Sequence, residues 1–385
     1  MINEQQKPMF RFLMVMTMAA VIGLQTWMIL FNNFAVEIAG LDGSQVGLLQ
    51  SIREIPGLLA LLAIYAMLLI SEHRLAALSV ILLGLGTLFA GYFPSMGGLI
   101  CTTLIMSFGF HYFETCNQSL TLQYFDKATA PLVFGRLRSL GAAANIVAAV
   151  LLFTLGFFLD YKAMYLGMGS LVTAAGIWAL FQDPSHTEIV PQHRKMIFRR
   201  RYGLYYFLTF MAGARRQIFI AFSVLLLVKI FHFSLREVAI LFVLNNVVNY
   251  FLSPLIGRAI VRFGERKVLS LEYAGLILVF LTYALTQSKA VVIGMYILDH
   301  GLFNFAIAIR TYFQKVADPQ DIAPSMAMGF TINHIAAVVL PVLGGLAWMI
   351  DHRIPFIAGA AMSLISLVAV QWIPNFSDRP DISTD

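Results

Sequence analysis

The chain is dominated by apolar runs that are each about 20 residues long or slightly longer. A helix of that length crosses a hydrocarbon layer about 30 Å thick, so each run is a candidate transmembrane helix. Charged residues make up 12% of the sequence, compared with about 25% in soluble domains. The sequence therefore predicts an integral, multi-pass membrane protein with an all-α fold.

Twelve such runs occur, and they are numbered here as spans one to twelve. Their predicted cores are residues 12–35, 47–70, 75–93, 98–122, 138–159, 163–181, 203–228, 238–260, 268–286, 290–312, 326–350 and 355–373. The polar, basic stretch 183–202 reads as a linker between the two sets of six spans. We expect an N-terminal bundle over residues 1–182, a C-terminal bundle over 203–375 and a short tail over 376–385.

Basic residues are distributed unevenly between the two sides of the membrane. With the N-terminus inside, 18 of the 26 Lys and Arg residues fall in inside segments and five in outside loops. This asymmetry predicts cytoplasmic termini in a cell membrane, such as the bacterial inner membrane. It also accounts for the net charge of +6, so no nucleic-acid partner is expected. The basic part of the linker is placed to contact anionic lipids, and we expect a monomer.

Polar residues recur between the two sets of six spans. Shifted by 188 positions, the phrase YFDK at Tyr124 falls on YFQK at Tyr312, and Asn145 falls on Asn333. Shifted by 192 positions, Gln25 falls on Gln217. Chance similarity between apolar segments would match Leu and Val rather than these polar residues. The pattern indicates two parallel six-helix halves, which is a known transporter design.

A short loop motif carries a family resemblance. The stretch GRAIVRFGERK, residues 257–267, lies between spans eight and nine, and PVLGG, residues 341–345, lies in span eleven. Both are similar to motifs of the major facilitator superfamily, although Val261 stands where that loop signature has an acidic residue. The matching loop positions, which the resemblance implies act in conformational gating, are Gly257, Arg262, Gly264, Arg266 and Lys267.

The resemblance also implies an architecture and a transport cycle. We expect two six-helix bundles around a central cavity lined mainly by spans one, four, seven and ten. Alternating access would come from rocking one bundle against the other.

Ionisable residues within spans four and ten are the first functional candidates. Such side chains are costly in a bilayer and usually serve function. His111 and Glu114 share a face of span four, and the 188-residue shift places His111 on Asp299, which is followed by His300. We predict Glu114 and Asp299 to be proton carriers, with His111 and His300 as modulators. Static ion pairs or helix-packing hydrogen bonds are the alternative.

A second group of polar residues is suited to holding a solute. An arginine in a cavity can bind a carboxylate or phosphate through two hydrogen bonds, and amides can bond a polar solute or a neighbouring helix. Structural pairing is the alternative for the arginines, because three deep acidic residues balance three deep arginines. The predicted substrate-binding residues are Arg215, Arg216, Gln25, Gln217, Asn145, Asn333 and His334.

Three functional hypotheses follow. The first is a secondary active transporter for a small polar solute, with anions among the candidates, coupled to protons; without proton coupling it would be a facilitator. No nucleotide-binding motif is present, and no cofactor or resident metal is expected. The second is a divalent-metal transporter on the same fold, in which His and carboxylate side chains would be ligands. An intramembrane enzyme or a receptor is the third, and the absence of H-E-x-x-H argues against the enzyme. The metal ligands in the second hypothesis would be His111, Glu114, Asp299, His300 and His334.

Overall fold

The structure, a computed structural model, describes residues 2–67, 69–185, 190–193 and 195–374. No strand occurs in these ranges. Eleven helices within them are long and apolar enough to cross a membrane, and the helix Ile322–Ile350 occupies the position of predicted span eleven. The fold is therefore all-α with twelve transmembrane helices, as predicted. The tail 376–385 and part of the linker 183–202 lie outside the described residues.

The helices follow the predicted spans closely, with one large difference. Span five begins at Ala130 rather than near residue 138. Its first three turns contain Arg136 and Arg138, whose charge lowers the local hydropathy without preventing helix formation. The bounds in order are Lys7–Ile38, Gln45–Ala66, Glu72–Ala90, Met96–Tyr124, Ala130–Leu155, Tyr161–Leu180, Arg200–Lys229, Ile240–Phe263, Glu265–Leu285, Lys289–Val316, Ile322–Ile350 and Ile354–Trp372.

Span seven is interrupted in its second half, and span ten is interrupted near its middle. Span seven contains a π-helical segment at Phe219–Ser223, and span ten contains a 3₁₀ turn at Phe303–Ala306. In span ten, Nδ2 of Asn304 lies 3.3 Å from the carbonyl oxygen of His300 and 3.4 Å from that of Gly301. A side chain that bonds these carbonyls competes with the helical ladder. Mid-helix π and 3₁₀ segments often mark functional sites or hinges.

The first of two compact units comprises Met1–Asp126, Leu140–Phe198 and Asp318–Thr331. Spans three, four and six pack closely in it, because glycine allows their backbones to approach. A Cβ on Gly169 of span six would lie 2.5 Å from the backbone nitrogen of Leu88 in span three. A Cβ on Gly109 of span four would clash with the backbone of Leu83. These contacts fix span four, which carries His111 and Glu114.

The second unit comprises Lys127–Ser139, Arg199–Ala317 and Ile332–Asp385. The start of span five packs against span eight in it, and glycines again lie at the contact. A Cβ on Gly257 would lie 2.5 Å from the carbonyl oxygen of Pro131, and one on Gly135 would lie 2.7 Å from that of Ser253. Such distances leave no room for a larger side chain.

The linker contains a docked segment in the first unit. The side chain of Gln192 accepts a hydrogen bond from the backbone nitrogen of Ala323 at 2.9 Å and donates one to the carbonyl oxygen of Pro319 at 2.8 Å. The backbone nitrogen of His193 donates to Gln320 at 2.8 Å, and its Nδ1 lies 2.8 Å from a carboxylate oxygen of Asp321. Residues 192–193 are therefore fixed to the start of span eleven.

Candidate functional site

A small cavity of about 20 Å³ lies inside the second unit, between spans seven, nine and ten. Both helix interruptions border it, because Phe219 begins the π segment of span seven and Phe303 begins the 3₁₀ turn of span ten. Four charged side chains also line it: Arg215, Arg216, Glu272 and Asp299. Charge and irregular backbone therefore meet at one place in the bundle.

Arg215 is held in the interior of this unit by three neighbours. It is 3% exposed, and its Nη2 lies 3.8 Å from a carboxylate oxygen of Glu272. Its Nη1 donates a hydrogen bond to Ser366 of span twelve, and its guanidinium lies 4.4 Å from the ring centroid of Tyr273. Arg215 thus makes its contacts with side chains of the protein, whereas Arg216 is only half-buried.

Asp299 is buried in span ten with an exposed fraction of 2%. Tyr283 and Tyr296 lie beside its carboxylate. Asp299, Phe303 and Ala306 all border the cavity, so these three residues share a face of span ten. A buried carboxylate on a cavity can hold or release a proton, and this is the chemistry expected of a coupling residue.

Glu272 of span nine is the residue that sequence reasoning missed. It is 3% exposed and lies only a few positions inside the predicted core 268–286, so its distance from the span end suggested a surface location. The available signal was its place between apolar residues in the stretch SLEYAGLIL. Glu272 is an acidic neighbour of Arg215 within the second unit. The count of deep charges made from the sequence did not include it.

A network of amides and one arginine lies close to the cavity. Nδ2 of Asn304 donates to Oδ1 of Asn249 at 2.6 Å, and Nε of Arg138 donates to Oδ1 of Asn304 at 2.8 Å. The ring of His300 is half-buried with its centroid 5.6 Å from that of Phe219. Spans five, eight and ten are therefore joined by polar contacts at the 3₁₀ turn, where Asn304 is the shared residue.

The other predicted proton-coupling residues lie in the first unit, on span four. His111 is 5% exposed, and its Nδ1 lies 2.8 Å from the carbonyl oxygen of Ser107. Since a carbonyl only accepts, Nδ1 carries the ring proton. Glu114 is half-buried and accepts a hydrogen bond from Nε2 of Gln118 at 2.9 Å. Both residues lie on the continuous helix Met96–Tyr124, in a different unit from Asp299.

The predicted amides and His334 are spread over both units. Gln25 and Asn145 are half-buried in the first unit. Gln217 and His334 are buried in the second, with exposed fractions of 8% and 3%. Nδ2 of Asn333 donates to the carbonyl oxygen of Thr209 at 3.2 Å, so this amide joins spans seven and eleven.

The predicted gating loop is tightly built between spans eight and nine. Gly264 has a φ of 79°, a conformation that favours glycine and ends span eight. Arg266 donates to Oε1 of Gln371 at 3.1 Å, and the guanidinium of Arg262 lies 5.2 Å from the ring of Phe263. Lys267 is exposed. The loop thus combines one obligatory glycine with exposed or half-buried cations.

Comparisons with solved structures show a shared fold. A crystal structure of the human organic anion transporter MFSD10 (TETRAN) matches with a TM-score of 0.78 at 12% identity, covering 96% of this chain and 100% of the other. The E. coli fucose:proton symporter FucP matches with a TM-score of 0.80 at 14% identity, covering 97% and 100%. A bacterial homologue of the iron transporter ferroportin, in an outward-facing state, matches with a TM-score of 0.76 at 14% identity, covering 94% and 98%.

Comparison at the level of sequence identifies the family. No curated protein matches the chain significantly. The sequence profile of the Major Facilitator Superfamily matches residues 12–320 and, in a second alignment, residues 205–384. These matches extend over most of the chain and agree with the solved structures. The chain belongs to the major facilitator superfamily, and it is a transporter rather than an enzyme.

Proposed function

We propose that this transporter is a secondary active transporter that couples a small, polar, anionic solute to protons. The observation that carries the proposal is the cavity of the second unit, where two buried carboxylates and two arginines meet at two interrupted helices. Ionisable groups at such depth are expensive and are retained for function. Discontinuous helices are a common feature of transporter binding sites.

In this proposal the charged residues have different roles. Asp299 carries the coupling proton together with Glu114, while His111 and His300 modulate them. Arg216 is the anchor for a carboxylate or phosphate of the solute, because it borders the cavity and is only half-buried. Arg215 orients the site through its contacts with Glu272 and Ser366.

The transport cycle is proposed to use the duplicated architecture. An N-terminal bundle over residues 1–182 and a C-terminal bundle over 203–375 alternate about the linker 183–202. Both termini face the cytoplasm, in keeping with the excess of Lys and Arg on that side. The folds shared with an organic anion transporter and a fucose:proton symporter are compatible with this cycle, and at this identity they do not choose the solute.

The experiment has two stages. Purified protein is first screened by thermal shift against organic anions, sugars, amino acids, cationic drugs and divalent metals. A ligand at about 100 times its Kd stabilises the folded state by about 2.7 kcal/mol. Stabilisation by carboxylates or phosphates supports the proposal, and stabilisation confined to metals replaces it with divalent-metal transport.

Proteoliposomes then test the coupling with the best ligand. Asp299→Asn should abolish accumulation driven by a pH gradient while leaving exchange of the solute across the membrane measurable. Asp160→Asn is the matched control, because Asp160 is an exposed helix cap and its amide retains the capping oxygen. Accumulation at the wild-type level in Asp299→Asn would remove Asp299 from the coupling role.

A further inference from the structure

Asn304 joins three helices at the point where span ten is interrupted. It is 2% exposed, and its Oδ1 accepts a hydrogen bond from Nε of Arg138 in span five at 2.8 Å. Its Nδ2 donates to Oδ1 of Asn249 in span eight at 2.6 Å and lies 3.3 and 3.4 Å from the carbonyl oxygens of His300 and Gly301. Both ends of this buried amide are therefore engaged.

Arg138 determines which end of the amide faces span five. A guanidinium has donors and no acceptor, so the oxygen of Asn304 must face it. The nitrogen of the amide is then left for Asn249 and for the two carbonyls of span ten. Hydrogen bonds from a charged donor are stronger than those between neutral groups. The contact with span five therefore controls the orientation of the amide.

Arg138 and Asn304 differ in what they lose when they separate. Arg138 is exposed, so its guanidinium can be hydrated, whereas a buried amide oxygen left without its donor is costly. Turning the amide relieves that cost and takes Nδ2 away from the carbonyl oxygens of His300 and Gly301. In an α-helix these oxygens accept from backbone nitrogens four residues later. Loss of Arg138 therefore favours a regular helix.

The 3₁₀ turn also shapes the wall of the cavity. Residues three apart eclipse one another in a 3₁₀ helix, and Phe303 and Ala306, at the two ends of the turn, both border the cavity. Conversion of the four residues to α-helix would shorten the span by about 2 Å and rotate its two parts by about 80°. Phe303 and Ala306 would then lie about 60° apart around the helix.

The first turns of span five contact span ten through aromatic rings as well. The guanidinium of Arg138 lies 5.6 Å from the ring centroid of Phe303. The guanidinium of Arg310 in span ten lies 5.7 Å from the ring centroid of Phe134 in span five. Cation–π contacts at these distances are attractive. Since Phe303 begins the turn and Arg310 follows it, a movement of span five acts on the turn and on the helix after it.

We propose that Asn304 is a positioning residue that couples the contact of span five to the shape of the cavity. While Arg138 bonds to Asn304, the 3₁₀ turn is held, and Phe303 and Ala306 line the cavity together. When the first turns of span five move away, the turn becomes α-helical and the wall of the cavity changes. The use of this change in transport rests on the proposed cycle, whereas the dependence of the turn on Arg138 does not.

Three variants separate the two roles of the amide. Asn304→Asp keeps an oxygen for Arg138 and loses the donor to span eight and to the carbonyls. Arg138→Met removes the charged donor from an exposed position, and Asn304→Leu removes both roles. The first two variants decide the question even where Asn304→Leu does not fold. Asn246→Leu is the matched control, because Nδ2 of Asn246 donates within span eight, to the carbonyl oxygen of Phe242 at 3.0 Å.

Hydrogen exchange measured by mass spectrometry reports the state of the turn. The full-length protein is used in nanodiscs without solute, and exchange is followed in the peptide that contains residues 303–307. Hydrogen-bond geometry is poorer in a 3₁₀ turn than in an α-helix, so these amides should exchange about tenfold more slowly in all three variants than in wild type. Asn246→Leu should match wild type. Unchanged or faster exchange in Arg138→Met would overturn the proposal.

Distances between spin labels report the contact of span five. Labels replace Lys127 and Arg258, which are exposed near the start of span five and the end of span eight, in a background without Cys101 and Cys116. Arg138→Met and Asn304→Leu should add a population with a longer distance.

The combination of both readouts in Asn304→Asp is decisive. This variant should keep the wild-type distance and still show slower exchange in the turn. A tie that only holds the spans together predicts the wild-type exchange rate instead, and that result would refute the coupling. Neither readout needs a solute or a proton gradient. A transport assay that contradicts the proposed function therefore leaves this result intact, and the reverse also holds.

Discussion

Nζ of Lys315 lies 2.7 Å from Oε2 of Glu265, and this ion pair joins the end of span ten to the start of span nine. The side chain of Glu265 is 1% exposed and that of Lys315 is 18% exposed. Lys315 belongs to the repeated phrase YF-x-K, and Glu265 lies within the predicted gating loop. In the second half the repeated lysine therefore compensates an acidic residue in that loop.

Lys315→Met should destabilise the folded protein by about 3 kcal/mol, because it leaves the buried Glu265 carboxylate without its cation. The exposed counterpart Lys127 provides a matched control, and Lys127→Met should have little effect. Thermal unfolding in detergent measures both. Adding Glu265→Gln to Lys315→Met should recover much of the loss, and failure to recover it would assign the effect to something other than the ion pair.

Arg215→Ala and Arg216→Ala should separate stability from solute binding. Arg215→Ala leaves Glu272 unpaired in the bundle interior, so we expect a loss of about 3 kcal/mol. Arg216→Ala should cost less stability and should abolish the stabilisation given by an anionic solute. Unfolding curves with and without that solute distinguish the two. A variant of Arg216 that keeps the full solute shift would contradict its role as the anchor.

Gly257→Ala should weaken the contact between spans five and eight. The added Cβ would lie 2.5 Å from the carbonyl oxygen of Pro131, and relieving such overpacking typically costs about 1–3 kcal/mol. Gly294→Ala is the control, because a Cβ there meets nothing within 4 Å. Equal melting temperatures for the two variants would show that spans five and eight are not held together at Gly257.

The ion pair between Glu237, which lies just before span eight, and Lys289 should give a pH-dependent contribution to stability. A hydrogen bond from Lys289 at 2.7 Å, supported by bonds from Ser234, lowers the pKa of Glu237 from 4.5 to about 2. Since the folded-state pKa is depressed, the contribution is fully present above the unfolded value and disappears as the pH falls through about 2.

Unfolding of wild type and Glu237→Gln tests this pH dependence. The difference in melting temperature should be largest at neutral pH, shrink below pH 4.5 and vanish near pH 2. Lys289→Met should show the same trend, because it removes the main cause of the shift. A difference that stays constant over this range would contradict the assignment.

Much of the fold is encoded in hydropathy, since a bilayer requires long apolar helices with satisfied backbones. The shared face of Asp299, Phe303 and Ala306 agrees with helical spacing, since the three residues are four and three positions apart. The interruptions of spans seven and ten were not predicted, because they depend on tertiary contacts such as the one between Asn304 and Asn249. The hydropathy of the sequence does not predict such contacts between helices.

The candidate site was predicted only in part for a similar reason. Distance from the end of a span is a poor measure of depth for a residue such as Glu272, whose burial is set by packing against Arg215. The early part of span five was also missed, because hydropathy registers the charge of Arg136 and Arg138 but not the contact of Arg138 with Asn304.

The docked segment Gln192–His193 has a consequence for assembling the transporter from two co-expressed fragments. A cut after Phe198 leaves this segment on the first fragment and its partners, Pro319 to Ala323, on the second. The two fragments could then bind each other through the hydrogen bonds of Gln192 described above and the contact of His193 with Asp321. A cut before Val190 places both sets of residues on the second fragment and removes that recognition. In such an experiment the linker would specify which fragments associate, in addition to connecting the two bundles.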